Sequence, residues 1–484
     1  MNVERVGGWM IAVVIAGHAV ALAASDRTLV EAVKNQDTSA VRALLDERAD
    51  VNAPQPDGAT ALHWAVHHDD LEVVGWLLEA GAHVDVANDY GVTPLSLASG
   101  NGSESVVRLL LIAGADPNGA LPSGETVLMT AANTGQVDVV RILLARGARV
   151  DATETSRGQT SLMWALSETH LDAAQALIAH GANVNARATS GFTPLMFAAR
   201  QGDLEASRML LARGADVHGA AEDGTTALLT ATVRGYPDLV RLLLAEGADP
   251  NASGAGYTAL HWAAGSWETE LTGEFGLDAP TSKWAALAGL TGEAKLDLVR
   301  MLLAHGADPD VRTTRRVPRF GFSSGSSSPQ FYGTLGATPF LLAAQAGDAT
   351  VMRALVAAGA DPLIPTDANT TPLMQATGIS RVIGESHATE AGSLEAVKLA
   401  VELGADINAL DDAGNTALHG AATQGADTVV QFLVDHGAEL DVRNAYGETP
   451  WMIVAGFGLR RGGVNIDHPI TAELLRALGA DTSH

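Results

Sequence analysis

Histidines gather in one short stretch, His63-Trp64-Ala65-Val66-His67-His68-Asp69-Asp70. On a helix, His63 and His67 share a face at i, i+4 and could offer two ring nitrogens to a metal, with the Asp70 carboxylate three residues further on. His67 and His68 could also move protons, because imidazole changes charge near neutral pH. Residues 311–336 hold a second kind of chemistry: Arg312, Arg315, Arg316 and Arg319 stand there beside Phe320 and Phe322 with no acid. Guanidinium forks suit carboxylates and phosphates, and Arg with aromatics makes interface anchors. That stretch could grip an anionic ligand; the plainer reading is a Ser/Gly-rich loop whose arginines pair with acidic neighbours. Gly321-Phe322-Ser323-Ser324-Gly325 has G-x-S-x-G spacing, but a nucleophile elbow needs a strand before it and a helix after it. Neither is present in this Ser/Gly context. Gly456-x-Gly458 lacks the third glycine of a dinucleotide fingerprint, since Arg461 stands in its place. No H-E-x-x-H, P-loop or EF-hand spacing occurs in the chain.

Composition narrows the rest. With 30 Lys plus Arg against 56 Asp plus Glu, the 484-residue chain carries a net charge of −26. Its field repels polyanions, so nucleic acid is not an expected partner. Cysteine is absent, which removes disulfides, thiolate nucleophiles, iron-sulfur clusters and Cys-ligated zinc together. At 47% hydrophobic and 18% charged residues the chain has enough apolar material for a packed core. At the N-terminus, Arg5 precedes an apolar run from Trp9 to Gly17, followed by Ala19-Val20-Ala21-Leu22-Ala23-Ala24-Ser25. A run this short, ending in Ala-x-Ala, reads as a secretory signal cleaved after about Ala23. The expected location is periplasmic or secreted, by bacterial export, with no membrane association after cleavage.

The elements that must position these residues follow a period. Thr60, Thr93, Thr126, Thr160, Thr193, Thr226, Thr258, Thr338, Thr371, Thr416 and Thr449 each open a Thr-x-Leu-like tripeptide, and six of the steps between neighbours are 33 residues. Thr as N-cap, with Pro at the first helical position in Thr93-Pro94, Thr193-Pro194, Thr338-Pro339, Thr371-Pro372 and Thr449-Pro450, fixes the start of a first helix. A Leu-rich second helix follows, as in Leu239-Val240-Arg241-Leu242-Leu243-Leu244, apolar enough to pack on more than one side. Then comes a glycine suited to a left-handed C-cap, and a turn such as Asp57-Gly58.

Thr60-Ala61-Leu62-His63-Trp64-Ala65 and Thr416-Ala417-Leu418-His419-Gly420-Ala421 resemble the T-P-L-H-x-A signature of ankyrin repeats. The resemblance covers nearly everything after the signal segment. It implies an all-α repeat solenoid: an ankyrin-repeat stack of about twelve helix-turn-helix plus β-hairpin units with loop insertions, concave on the side of the fingers and inner helices. It also implies that His63 bonds within the stack, and that His67 and His68 fall where such units vary toward the groove. The bulky residues at Trp64, Trp164, Phe197 and Trp262 are expected to fill the helix pairs.

Stability in such a stack accrues between neighbouring units, so end units with polar outer faces are expected. The organisation is a signal peptide at 1–23, then a solenoid over 24–484. Its cap-like units are 26–58 and 448–484, and its insertions are 265–295, 311–336 and 378–391. The expected function is an exported, monomeric, non-enzymatic scaffold with no cofactor and no metal. It would bind a protein partner through its concave face and inserted loops. Binding candidates are His67, His68, Asp89, Tyr90, Arg157, Arg200, Arg234, Arg315, Arg316, Arg319, Phe320 and Phe322. The competing reading is a solenoid-based enzyme or small-ligand binder, with a groove site covered by the 265–295 and 311–336 insertions and His67, His68, Asp89, Tyr90 or Arg157 in acid-base or anion-binding roles.

Overall fold

The computed structural model describes residues 28–265, 290–315, 335–379, 388–457 and 468–483. The signal-peptide reading, Arg316, Arg319, Phe320 and Phe322, and most of each insertion lie outside the described residues. The chain forms two compact units, one ending at Asp116 and the other beginning at Pro117. Among the described residues, the first holds three helix pairs (Leu29–Lys34 with Thr38–Asp46, Ala61–His67 with Leu71–Glu79, Pro94–Asn101 with Glu104–Ile112). The second holds nine, running from Val127–Asn133 with Val137–Ala145 to Pro450–Val454 with Pro469–Leu478. In each pair the first is the inner helix and the second the outer helix.

Each inner helix starts where its sequence says. Thr93 is extended at φ −102°, ψ 162°, and its hydroxyl accepts from the Ser96 amide while the Ser96 hydroxyl accepts from the Thr93 amide. Pro94 occupies the first turn, and Gly102 ends the helix at φ 75°. In ten of the eleven repeats the residue two after the Thr (Leu62, Leu95, Leu128, Leu162, Leu195, Leu228, Leu260, Phe340, Leu373, Leu418) is at most 2% exposed, and in the last it is the half-buried Trp451. The alanine five after the Thr (Ala65, Ala98, Ala131, Ala165, Ala198, Ala231, Ala343, Ala376, Ala421) is fully buried. A large side chain anchors each pair, and a methyl lets the neighbouring inner helix approach closely. Outer helices bury one stripe, as with Leu239, Val240, Leu243 and Leu244, and cap with acids such as Asp70, which accepts from the Val73 amide at 3.0 Å.

The fingers are turns rather than strands. Among the described residues only isolated bridges form, at Ala120–Thr126, Thr153–Thr160 and Ala220–Thr226. Most fingers close with one backbone bond, such as Asn88 N–H to Val92 at 3.0 Å, and most bond the finger before them, as Asp89 N–H does to Asp57 at 2.9 Å. Gly224 (φ 87°) shows why glycine is needed at these tips: a Cβ there would overlap the backbone of Gly254 and Ala255.

Two breaks in the period change a helix instead of only adding loop. The outer helices Gly292–Ala304 and Glu390–Glu402 have 13 residues where most have 9. Residues 292–295 and 390–391, expected within insertions, therefore form an additional helical turn. Lys295 in that turn is 7% exposed and meets Asp348 at 3.2 Å; burial pulls its pKa down, and Asp348 opposes that pull. The 311–336 insertion leaves its finger intact at the base. Thr313 N–H bonds Ala337 O at 2.9 Å, and the Thr313 hydroxyl accepts from the Ala337 amide at 3.0 Å. Thr313 and Ala337 thus make the closure that Asn88 and Val92 make four residues apart, and the added chain leaves the stack's register unchanged.

Candidate binding surface

The histidine-rich stretch of the first unit resolves into structural and free members. His63 is 3% exposed. Its Nδ1 accepts from the Thr60 amide at 3.1 Å, so Nε2 carries the proton and donates to Val92 O at 3.0 Å. Both ring nitrogens are occupied by backbone of two successive repeats, and burial holds the pKa below its ordinary value. His261 and His419 repeat the arrangement, with Nε2 on Ala337 O at 3.1 Å and Glu448 O at 3.2 Å. For His261, burial lowers the pKa to about 4. His63 therefore does not pair with His67 as a metal ligand. Among the described residues no cluster of three His, Asp or Glu could hold a metal ion.

His68 is also committed, with Nε2 on Lys34 O at 3.2 Å. Asn101, Gln201 and Gln424 occupy the same place in their repeats and donate to Val66 O, Ser167 O and Gly378 O. The position is a tie to the end of the preceding inner helix. His67 remains exposed beside Trp64 and His68, at 5.7 and 5.3 Å between ring centroids. Partial desolvation, then the His68 charge, lower its pKa. Asp89 and Tyr90 form the next fingertip. Tyr90 is 71% exposed, and its amide bonds the Asn88 side chain at 3.0 Å.

In the second unit the arginines divide. Arg312, inside the acid-free stretch, is spent on structure: it pairs with Asp367 at 2.8 Å and donates to Gly336 O and Pro365 O. For this one residue the plainer reading of the loop holds. Arg315 is exposed, with its stem against Gly256.

Arg157, Arg200 and Arg234 come from three different elements. Arg157 stands in a finger with one more residue than its neighbours, since Glu154 N–H bonds Gln159 O rather than the residue four on. The Glu154 carboxylate, 5% exposed, accepts from the Ser156 amide and hydroxyl and from the Arg157 and Gln159 amides at 2.6 to 3.0 Å. Burial raises its pKa, but these bonds outweigh burial and hold it low. Arg200 lies in the last turn of Pro194–Gln201, and Arg234 ends Ala227–Arg234. Arg200 is exposed to solvent. Its pKa is nonetheless lowered, first by desolvation from the surrounding protein and then by the charges of Arg234 and Arg157, with Glu168 acting the other way. Arg200 therefore stands within electrostatic reach of both Arg234 and Arg157.

The bulky residues four after the Thr of their repeats differ in burial. Phe197 and Trp262 are 5% and 4% exposed, as is Trp64 of the first unit at 7%, which fits the packing role expected of them. Trp164 is only half-buried, and its Nε1 has no hydrogen-bond partner. Trp64 satisfies the same atom with Gln55 at 3.0 Å. In the Trp164 repeat, Glu154 takes the place of Gln55 and is bound up in its own finger. A buried unmet donor costs about 1–3 kcal/mol. Neither Glu154 nor the Trp164 donor stood out in the sequence; the signal available was the 34-residue step from Thr126 to Thr160, which marks the longer finger.

Comparison with known proteins agrees with this architecture. The family described as Ankyrin repeats (3 copies) matches residues 29–120, 101–188, 128–221, 195–272 and 386–479, together well over half of the chain. The family described as Ankyrin repeat matches 335–367. Protein phosphatase 1 regulatory subunit 27 of Homo sapiens is 44% identical over 59 residues, covering 12% of this chain and 38% of that protein. E3 ubiquitin-protein ligase KEG of Arabidopsis thaliana is 30% identical over 159 residues, 32% of this chain and 8% of that protein. The chain thus spans well under half the length of the curated relatives it matches. Among solved structures, the human ASB11 ankyrin repeat domain aligns at 28% identity over 46% of this chain and 100% of that chain, with a TM-score of 0.42.

Proposed function

The chain belongs to the ankyrin-repeat family, whose members are in general protein-protein interaction scaffolds, and from that premise we propose that its concave face binds a protein partner. One observation carries the proposal. The inner-helix residues two and five after each Thr are nearly constant and buried, whereas the residue seven after it changes from repeat to repeat: His67, Gly100, Asn133, Ser167, Arg200, Val233. A uniform frame with a varied row toward the groove is what selective recognition by a rigid scaffold needs. The fingers extend that row, with Asp89 and Tyr90 in the first unit and Arg157 in the second. The reading is of a binder without catalytic chemistry, since the histidines nearest to a constellation, His63 and His68, are engaged by backbone carbonyls.

Photo-crosslinking residues placed one at a time at His67, Ser167 and Val233, and on outer helices at Arg108 and Arg208, test the proposal in extracts. Discrete protein adducts from groove positions and none from outer ones support it. Adducts distributed equally over both sets, or absent from the groove, reject it. We propose further that the partner is met after export, on the strength of the short apolar run and the Ala-x-Ala site before Ser25. N-terminal sequencing of the expressed protein checks this: a chain beginning near Ala24 supports export, and intact Met1 in the soluble cytosolic fraction contradicts it.

A further inference from the structure

Most outer-helix arginines are paired, Arg353 on Ala349–Ala357 being an exception among the described residues. Arg108 meets Glu104 at 2.8 Å, Arg141 meets Asp138 at 3.2 Å and Arg241 meets Asp238 at 2.6 Å, each within its own helix. Arg157, Arg200 and Arg234 have no such partner among the described residues, although the chain holds 56 carboxylates and one substitution within a helical turn would supply one. The charge of Glu168 favours Arg200 without forming an ion pair with it. The arrangement is more specific than a surface that happens to be basic. Arg157 is held at its tip by the buried Glu154 carboxylate through its own amide, and by the bond from the Thr189 amide to Arg157 O at 2.7 Å. Arg200 and Arg234 end neighbouring inner helices, where the helix dipole favours a positive charge. That dipole explains why Arg200 and Arg234 are each tolerated singly, and leaves unexplained why Arg200 stands near two like charges, those of Arg234 and Arg157.

We infer that the groove at Arg157, Arg200 and Arg234 receives a carboxylate-rich, extended segment of the partner protein, each guanidinium taking a side-chain or terminal carboxylate. The inference rests on the protein-binding reading of the concave face and adds the chemistry of what binds. Carboxylate suits the planar fork bidentately. Three arginines on three separate elements fit successive groups along a peptide better than one compact anion. A long polyanion such as nucleic acid would meet the repulsion of a −26 chain, whereas a short acidic segment meets mainly the local positive potential. Trp164, on the neighbouring inner helix Ser161–Ser167, brings a half-buried aromatic surface into the same stretch.

The test is fluorescence anisotropy of a labelled octaglutamate peptide with the full chain, beside octaglutamine and a single-stranded oligothymidylate. The expected result is saturable binding of octaglutamate that weakens with added salt, and no saturable binding of the other two. Affinity should fall at least about tenfold when Arg157, Arg200 and Arg234 are all replaced by Ala, and stay within about twofold for the Arg208→Ala, Arg241→Ala control. Circular dichroism verifies folding; should the triple variant fail to fold, Arg200→Gln removes one charge and keeps the stem, with a loss of several-fold expected. Absence of octaglutamate binding, equal affinity of the groove variants and the wild type, equal binding of oligothymidylate, or displacement of the peptide by millimolar inorganic phosphate would each overturn the inference. If it fails while groove-specific crosslinks persist, the acidic chemistry is wrong and protein binding stands; if the crosslinks are also absent, protein binding itself falls.

Discussion

Arg241 and Arg200 lie in the same unit and are treated in opposite ways. Arg241 sits on the outer helix Pro237–Ala245, three residues from the acid it pairs with. Arg200, in the last turn of an inner helix, stands near two like charges and has no carboxylate in ion-pair contact among the described residues. The outer helix solves its electrostatics locally, because residues three and four apart are neighbours there. The inner face leaves its electrostatics open. On the reading proposed above, a partner completes the charges of that surface, and this difference between the two helices favours the reading.

Substitutions on the two faces should differ in their effects. The largest effect is expected under the outer face: Leu243 is fully buried, and Leu243→Ala should cost about 2–5 kcal/mol by leaving a cavity between stacked helices. Glu246→Ala, exposed on the same helix turn, should stay within about 0.5 kcal/mol. Urea midpoints compare them, and equal midpoints would mean that the helix faces are misassigned.

Next comes the histidine tie across the 311–336 insertion. His261 titrates at about 4 when folded and near its ordinary value of roughly 6.5 when unfolded. Between those values the unfolded chain binds the additional proton, so this group's contribution is complete above about pH 6.5 and is lost as pH falls toward 4. The loss is on the order of 3 kcal/mol. His261→Met, the residue standing at this place in Met129 and Met196, should flatten the acid limb of stability measured by urea unfolding at pH 7 and pH 4.5. An unchanged slope would assign the acid sensitivity elsewhere.

Glu154→Gln is expected to cost about 1–3 kcal/mol, since an amide oxygen cannot accept all that the carboxylate accepts. Hydrogen exchange at the Ser156, Arg157 and Gln159 amides should accelerate while the helices keep their protection. Protection unchanged at those amides would show that the finger holds Arg157 without Glu154.

The sequence already disclosed the frame, because its devices recur: Thr caps, Leu and Ala at fixed offsets, and glycine after each outer helix have the same cause in every repeat. His63 was readable for the same reason, through Thr60. His68 was harder, as its tie to Lys34 emerges only when Asn101, Gln201 and Gln424 are set beside it and seen to share reach and donor chemistry. The groove arginines were candidates one by one, yet their convergence was hidden. Arg157 and Arg200 are 43 residues apart, and what brings Arg157 to its place is a single added finger residue bound by a buried carboxylate. The additional turns at Gly292 and Glu390 were hidden too, since periodicity locates a break without saying whether the added residues extend a helix.

On the reading proposed above, the outer face serves the fold while the concave face is left for a partner. Urea unfolding of Arg200→Ala and Arg241→Ala, at low and high salt, tests it most directly. Arg241→Ala should lower stability by about 0.3–0.5 kcal/mol at low salt, the worth of a helical ion pair. Arg200→Ala should leave stability unchanged or raise it by a similar small amount, by removing repulsion from Arg157 and Arg234, with both differences shrinking in high salt. A loss for Arg200→Ala as large as that for Arg241→Ala would make Arg200 part of the fold and contradict the claim.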